Sequence, residues 1–124
     1  MRMWTIDPKL LCQTHLFGEH FEIHLHRHNF VKRHSILGRV YPIVFIEPQN
    51  MKLRHDELVK EILARGKNHN SPYELPDLSH LPDNQRYAKV DLSYNLSDLF
   101  DRCSDCHKRY LDTRIPSKEA IENK

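Results

Sequence analysis

The sequence predicts an all-α fold: a compact single domain of about three main helices, with an N-terminal segment packed near the first. Three observations lead there. Apolar residues recur at helical steps over long stretches; Leu92, Leu96, Leu99, Cys103, Cys106 and Tyr110 follow one another at four, three, four, three and four. Strand-like composition occurs only in residues 40–46, where Pro42 interrupts it. And 124 residues, 39% hydrophobic and 29% charged, suffice for one core and are too apolar for a disordered chain.

The first helix is expected to begin at Asp7-Pro8, where Asp7 can cap and Pro8 lacks only an N–H that would be unpaired anyway. Leu10, Phe17, Phe21 and Leu25 form its apolar stripe, and it reaches at least His26. Residues 35–50, broken by Gly38, Pro42 and Pro48, form an extended connection that packs into the core. A second helix over 50–65 buries Met51, Leu58, Val59, Ile62 and Leu63, with Gly66 as its C-terminal cap. A polar, proline-marked loop covers 67–86, and a third helix runs over 91–111. The domain spans 1–115, and 116–124 is a polar tail.

No run of 18 apolar residues exists, and MRMWTIDPK carries no apolar signal segment, so the expected setting is the cytosol. Three cysteines, an odd number, argue against a disulfide scaffold. The net charge of +2 says little, whereas ten histidines, clustered between His15 and His34, suggest metal, phosphate or a solvated imidazole face.

Four residues on the first helix, His15, Glu19, Glu22 and His26, are spaced four, three and four and share one face, with Gly18 beside them. Such a stripe is a solvated surface, a metal site, or a carboxylate acid/base with a histidine helper. Arg27, Lys32 and Arg33 make a basic patch suited to phosphate contact. Cys103-Ser-Asp-Cys106 lies on the apolar stripe of the third helix, where free cysteine packs as a small hydrophobe. A zinc site would need two more ligands, for which Cys12 and His107 are the candidates. At the other end, Arg2 follows Met1, so Met1 is expected to be retained with a free α-amine. With a reference pKa of about 7.7–8.0 against about 10.4 for lysine, an α-amine near pH 7.5 is roughly one-third neutral and nucleophilic.

Together these residues resemble the pyrimidine-dimer DNA glycosylase family of phage, the dimer-specific endonuclease V type. His15-Leu-Phe-Gly-Glu-His-Phe-Glu22 looks like the family's catalytic helix, with Glu22 at the catalytic glutamate. Counting back without a gap, Met1 falls on the nucleophilic first residue and Arg2 on the family's second-position arginine. Lys32-Arg33-His34 resembles the basic segment after that helix, and residues 53–66, ending in Arg65-Gly66, resemble the central helix. The likeness covers about residues 1–70; the C-terminal third carries the CxxC helix where the best-known member has an aromatic tail.

The resemblance implies a small all-α repair enzyme, a monomer in a bacterial or phage-infected cell, acting on damaged double-stranded DNA as a glycosylase with coupled abasic-site lyase activity. Met1, Glu22 and His15 would be catalytic, and Arg2, Glu19, His26, Arg27, Lys32 and Arg33 would face the DNA. No cofactor or metal is expected, because the amine already supplies the electron sink. The residues alone leave two other classes open: a metal-dependent nuclease of His/Cys type, and a non-catalytic DNA-binding protein.

Overall fold

The computed structural model describes the backbone of residues 2–122 and the side chains of residues 2–113. Six α-helices and two 3-10 turns occur among them, with no strand: α1 (Gln13–Val31), α2 (Leu37–Val40), α3 (Met51–Ala64), α4 (Asp83–Arg86), α5 (Leu92–Arg102) and α6 (Ser104–Glu122). The 3-10 turns are Pro8–Leu10 and Pro48–Asn50. The all-α single domain expected from the sequence is what forms. No helix among the described residues is long and apolar enough to cross a membrane.

Asp7 and Pro8 do cap and open a helical turn, but it is the short Pro8–Leu10 turn. The long helix starts five residues later, with the Cys12 thiol accepting the His15 N–H as its N-cap. The buried face also differs from the expected one. Leu16, Glu19, Ile23, His26 and Phe30 point inward, whereas Phe21 and Leu25 are 61% and 57% exposed and leave the expected stripe. Only Phe17 and Leu10 of that stripe pack against the core.

The second helix comes close to expectation. Met51, Leu58 and Ile62 are buried, Leu63 is exposed, and Gly66 takes φ 78°, the left-handed conformation that ends helices and that glycine adopts without steric cost. The connection before it also packs inward, through Ile36, Val40 and Ile46. The expected third helix is two. Cys103 takes extended angles (φ −132°, ψ 104°), ends α5 and precedes α6, which continues through Glu122 past the expected end at Leu111. Leu92, first on the expected stripe, is exposed.

The N-terminal segment is locked into the core. Met3 is fully buried, and its N–H donates to the Phe45 carbonyl at 2.7 Å. Buried Asn95 of α5 donates to the carbonyls of Met3 and Trp4, each at 3.1 Å. The next residue, Thr5, sits at φ 56°, a left-handed conformation costly for a β-branched residue, which the contacts on either side hold in place.

Candidate active site

Glu22 lies half-buried on α1 and, with Arg2, Trp4, Arg39, Phe45 and Arg102, lines a cavity of about 320 Å³. One carboxylate thus faces three arginines and two aromatic rings. Each wall has its own support. Arg2 Nη1 donates to Asp98 of α5, and its guanidinium lies 4.6 Å from the Trp4 ring centroid and 4.7 Å from that of Phe45. Arg102 Nε donates to the same Asp98 at 3.2 Å. Arg39 comes from α2 and is exposed, open to an anion from solvent. Chemically, the cavity offers a carboxylate for proton transfer or cation stabilisation, guanidinium donors for phosphate, and flat apolar rings for a base.

Met1, expected to supply the nucleophile, lies outside the described residues. Arg2, directly after it, lines the Glu22 cavity, so sequence neighbour and carboxylate meet in one place.

The other site residues divide. Lys32 and Arg33 are exposed just past α1. Arg27 is half-buried and spends its Nε on the Glu74 carbonyl at 2.7 Å. Glu19 and His26, expected on the DNA-facing surface, are instead buried, at 2% and 4% exposed. Arg54 of α3 makes the burial of Glu19 tolerable, donating from Nε to Oε2 at 2.6 Å and from Nη2 to Oε1 at 3.0 Å, with Nη1 on the Ile6 carbonyl at 2.7 Å. Burial pushes the Glu19 carboxyl up, and the Arg54 fork opposes it. His26 packs its ring on Phe30 (4.8 Å between centroids); burial pushes it down to about 4, and Arg39 adds to the effect.

His15 is half-buried and meets the Trp4 ring edge-on at 6.0 Å. Burial lowers its imidazole, with the Glu22 charge working against it. Its Nδ1 is aimed at sulfur: 3.2 Å from Cys12 Sγ and 3.6 Å from Cys106 Sγ. Cys103 joins them, 3.8 Å from Cys12, so Cys12, His15, Cys103 and Cys106 form one cluster. Cys106 is buried, as expected, but inside this cluster and not on a continuous apolar stripe. His107 takes no part; it is exposed and stacks on Phe100 at 5.0 Å.

Local reasoning missed a second assembly. His20 and His24 of α1, His55 of α3 and His69 bring one ring nitrogen each within 4.8 Å of the others. His20 and His69 share a hydrogen bond at 2.9 Å, and His55 is held between Asp56 and the Ser71 carbonyl at 2.9 and 3.0 Å. Burial and the three neighbouring imidazoles lower His20 to about 4. The signal for it was the His20–His24 pair, four apart on one helical face. Neither cluster lines the Glu22 cavity.

Compared with models of protein families, the chain matches pyrimidine dimer DNA glycosylase over residues 1–75. It belongs to that family, and DNA repair by a pyrimidine-dimer glycosylase is the activity that this membership supports. The matched region holds Arg2, Glu22 and the basic segment through Arg33. No curated protein and no solved structure matches the chain.

Proposed function

We propose that this chain is a bifunctional glycosylase and abasic-site lyase that works through the α-amine of Met1. The neutral amine attacks C1′ of the damaged nucleotide and the glycosidic bond breaks, its electron pair leaving with the base. Opening of the sugar then gives an iminium between the amine and C1′. That cation acidifies the C2′ proton; removing it expels the 3′ phosphate as the C3′–O bond breaks. Glu22 stabilises the cation and takes part in the proton transfer. Arg2 and Arg39 hold phosphate at the cavity, Lys32 and Arg33 hold the flanking strand, and the duplex is kinked or the nucleotide flipped because C1′ is shielded in a stack.

The observation that carries this reading is that Glu22 and Arg2 line one open cavity, which places the carboxylate beside the residue that follows the amine. Family membership supports the substrate. His15 faces the thiols and is left out of the chemistry.

The test is borohydride trapping on duplexes carrying a dimer or an abasic site. One covalent adduct per chain, mapped to residue 1, is the expected result. An adduct mapped to a lysine, or undiminished activity with the N-terminal amine acetylated, would overturn the mechanism. Binding without an adduct would point to a non-catalytic DNA-binding protein.

A further inference from the structure

The Cys12–His15 and Cys103–Cys106 pairs have the same construction. Cys12 is the N-cap of α1 and accepts the His15 N–H at 3.4 Å; Cys103 directly precedes α6 and accepts the Cys106 N–H at 3.4 Å. A third backbone donor joins the halves, from Cys12 N–H to Cys106 Sγ at 3.2 Å. Two helix N-termini therefore converge on three sulfurs.

Two of three ligand–ligand distances match a metal tetrahedron and the third is shorter. Tetrahedral zinc, with Zn–S of about 2.3 Å and Zn–N of about 2.0–2.1 Å, has edges of about 3.8 Å between sulfurs and about 3.6 Å between sulfur and nitrogen. The observed edges are 3.8 Å for Cys12–Cys103, 3.6 Å for Cys106–His15 and 3.2 Å for Cys12–His15. A disulfide would need its sulfurs at about 2.05 Å. Simple apolar packing gives no reason for an imidazole nitrogen to face two of three clustered sulfurs.

We propose that Cys12, His15, Cys103 and Cys106 bind a structural zinc ion that clasps the start of α1 to the α5–α6 junction. Four protein ligands leave no open coordination position, so the ion holds structure and does not activate water. The clasp bears on the Glu22 cavity from two sides. His15 braces Trp4, and α5, which ends at the zinc ligand Cys103, carries the Asp98 that holds Arg2.

The test uses the untagged full chain, purified under reducing conditions, with metal analysis and cobalt substitution. The expected results are one tightly held zinc and, with cobalt, an intense thiolate-to-metal charge-transfer band in the near ultraviolet. Four imidazoles cannot give that band, so it separates this site from the His20–His24–His55–His69 cluster. Cys106→Ser should lose the band and His69→Ala should keep it. His15→Cys should retain the metal with an altered cobalt spectrum, and His15→Ala should bind it weakly, which separates a ligand from a packing residue. If Cys106→Ser fails to fold, wild-type protein stripped by chelator answers the question: refolding on addition of one equivalent of zinc supports the site. A folded, metal-free chain with three reactive thiols, or zinc content unchanged in soluble Cys106→Ser, overturns it.

Discussion

Arg54 holds Glu19 with two parallel hydrogen bonds, 2.6 and 3.0 Å long, in the interface between α1 and α3, where neither side chain meets solvent. Three residues on, Glu22 opens into a cavity. One helix therefore carries a carboxylate locked in an ion pair and another that lines a cavity, and substitution should tell them apart.

Glu19→Ala leaves the Arg54 guanidinium buried without its partner. Loss of one member of a buried pair costs about 3–5 kcal/mol, so urea denaturation should show a loss of that order. Activity per folded molecule should fall far less than stability. A variant as stable as wild type would mean that Arg54 finds solvent or another acceptor.

Glu22→Gln should behave in the opposite way. Stability should change little, because the side chain is half-buried and its shape is kept. Base release and strand cleavage on dimer DNA should fall by about a hundredfold or more, as expected for a carboxylate acting in the chemical step. Single-turnover rates together with a binding measurement separate the two effects; a rate near that of wild type would remove Glu22 from the chemistry.

Lys32→Gln combined with Arg33→Gln should reduce the slope of log affinity against log salt by about two units on duplex DNA, since each neutralised phosphate contributes about 0.9. Adding Arg27→Gln should change the slope less than either, because the Glu74 carbonyl already occupies its Nε. An unchanged slope in the double variant would place the DNA on another face.

His26 should make the fold acid-sensitive. It titrates at about 4 in the folded protein against 6.5 for the free side chain, because burial and the Arg39 charge disfavour the imidazolium. Below pH 6.5 the unfolded chain takes up this proton and the folded chain does not, so stability falls steadily as pH drops from 6.5 towards 4. Denaturation midpoints across that range should fall less steeply for His26→Leu than for wild type. Parallel curves would assign the acid sensitivity to other groups.

Helical periodicity was enough to read the fold class, the second helix and its Gly66 cap, because those depend on neighbours within a turn or two. The buried face of α1 was not legible this way. Hydrophobicity favoured Phe21 and Leu25, whereas the core takes Glu19 and His26, whose burial depends on Arg54 from α3 and on Phe30. The break at Cys103 was hidden for a related reason. Cys103 and Cys106 keep helical spacing, and nothing local marks the thiol of Cys103 as a cap for the next helix. The likeness of Cys12-x-x-His15 to Cys103-x-x-Cys106 was on display in the sequence, but it gains meaning only when residues 91 apart are brought together. Glu22 and Arg2 were singled out by the resemblance of the first helix and the chain start to the family; the walls around them, Arg39 and Phe45 from the 35–50 connection and Arg102 from α5, carry no local signature.

The two Asn95 hydrogen bonds to the carbonyls of Met3 and Trp4 also bear on the order of assembly. They join residues more than 90 positions apart, so the segment holding Met3 and Trp4 cannot settle until α5 is present. A fragment cut after residue 75, the extent of the family match, would keep Glu22 and the basic segment but lose Asn95 and Asp98. Its opening residues would have no far wall to close against. The cavity around Glu22 is thus closed by contacts between residues far apart in sequence, and it stays unformed until α5 has been made.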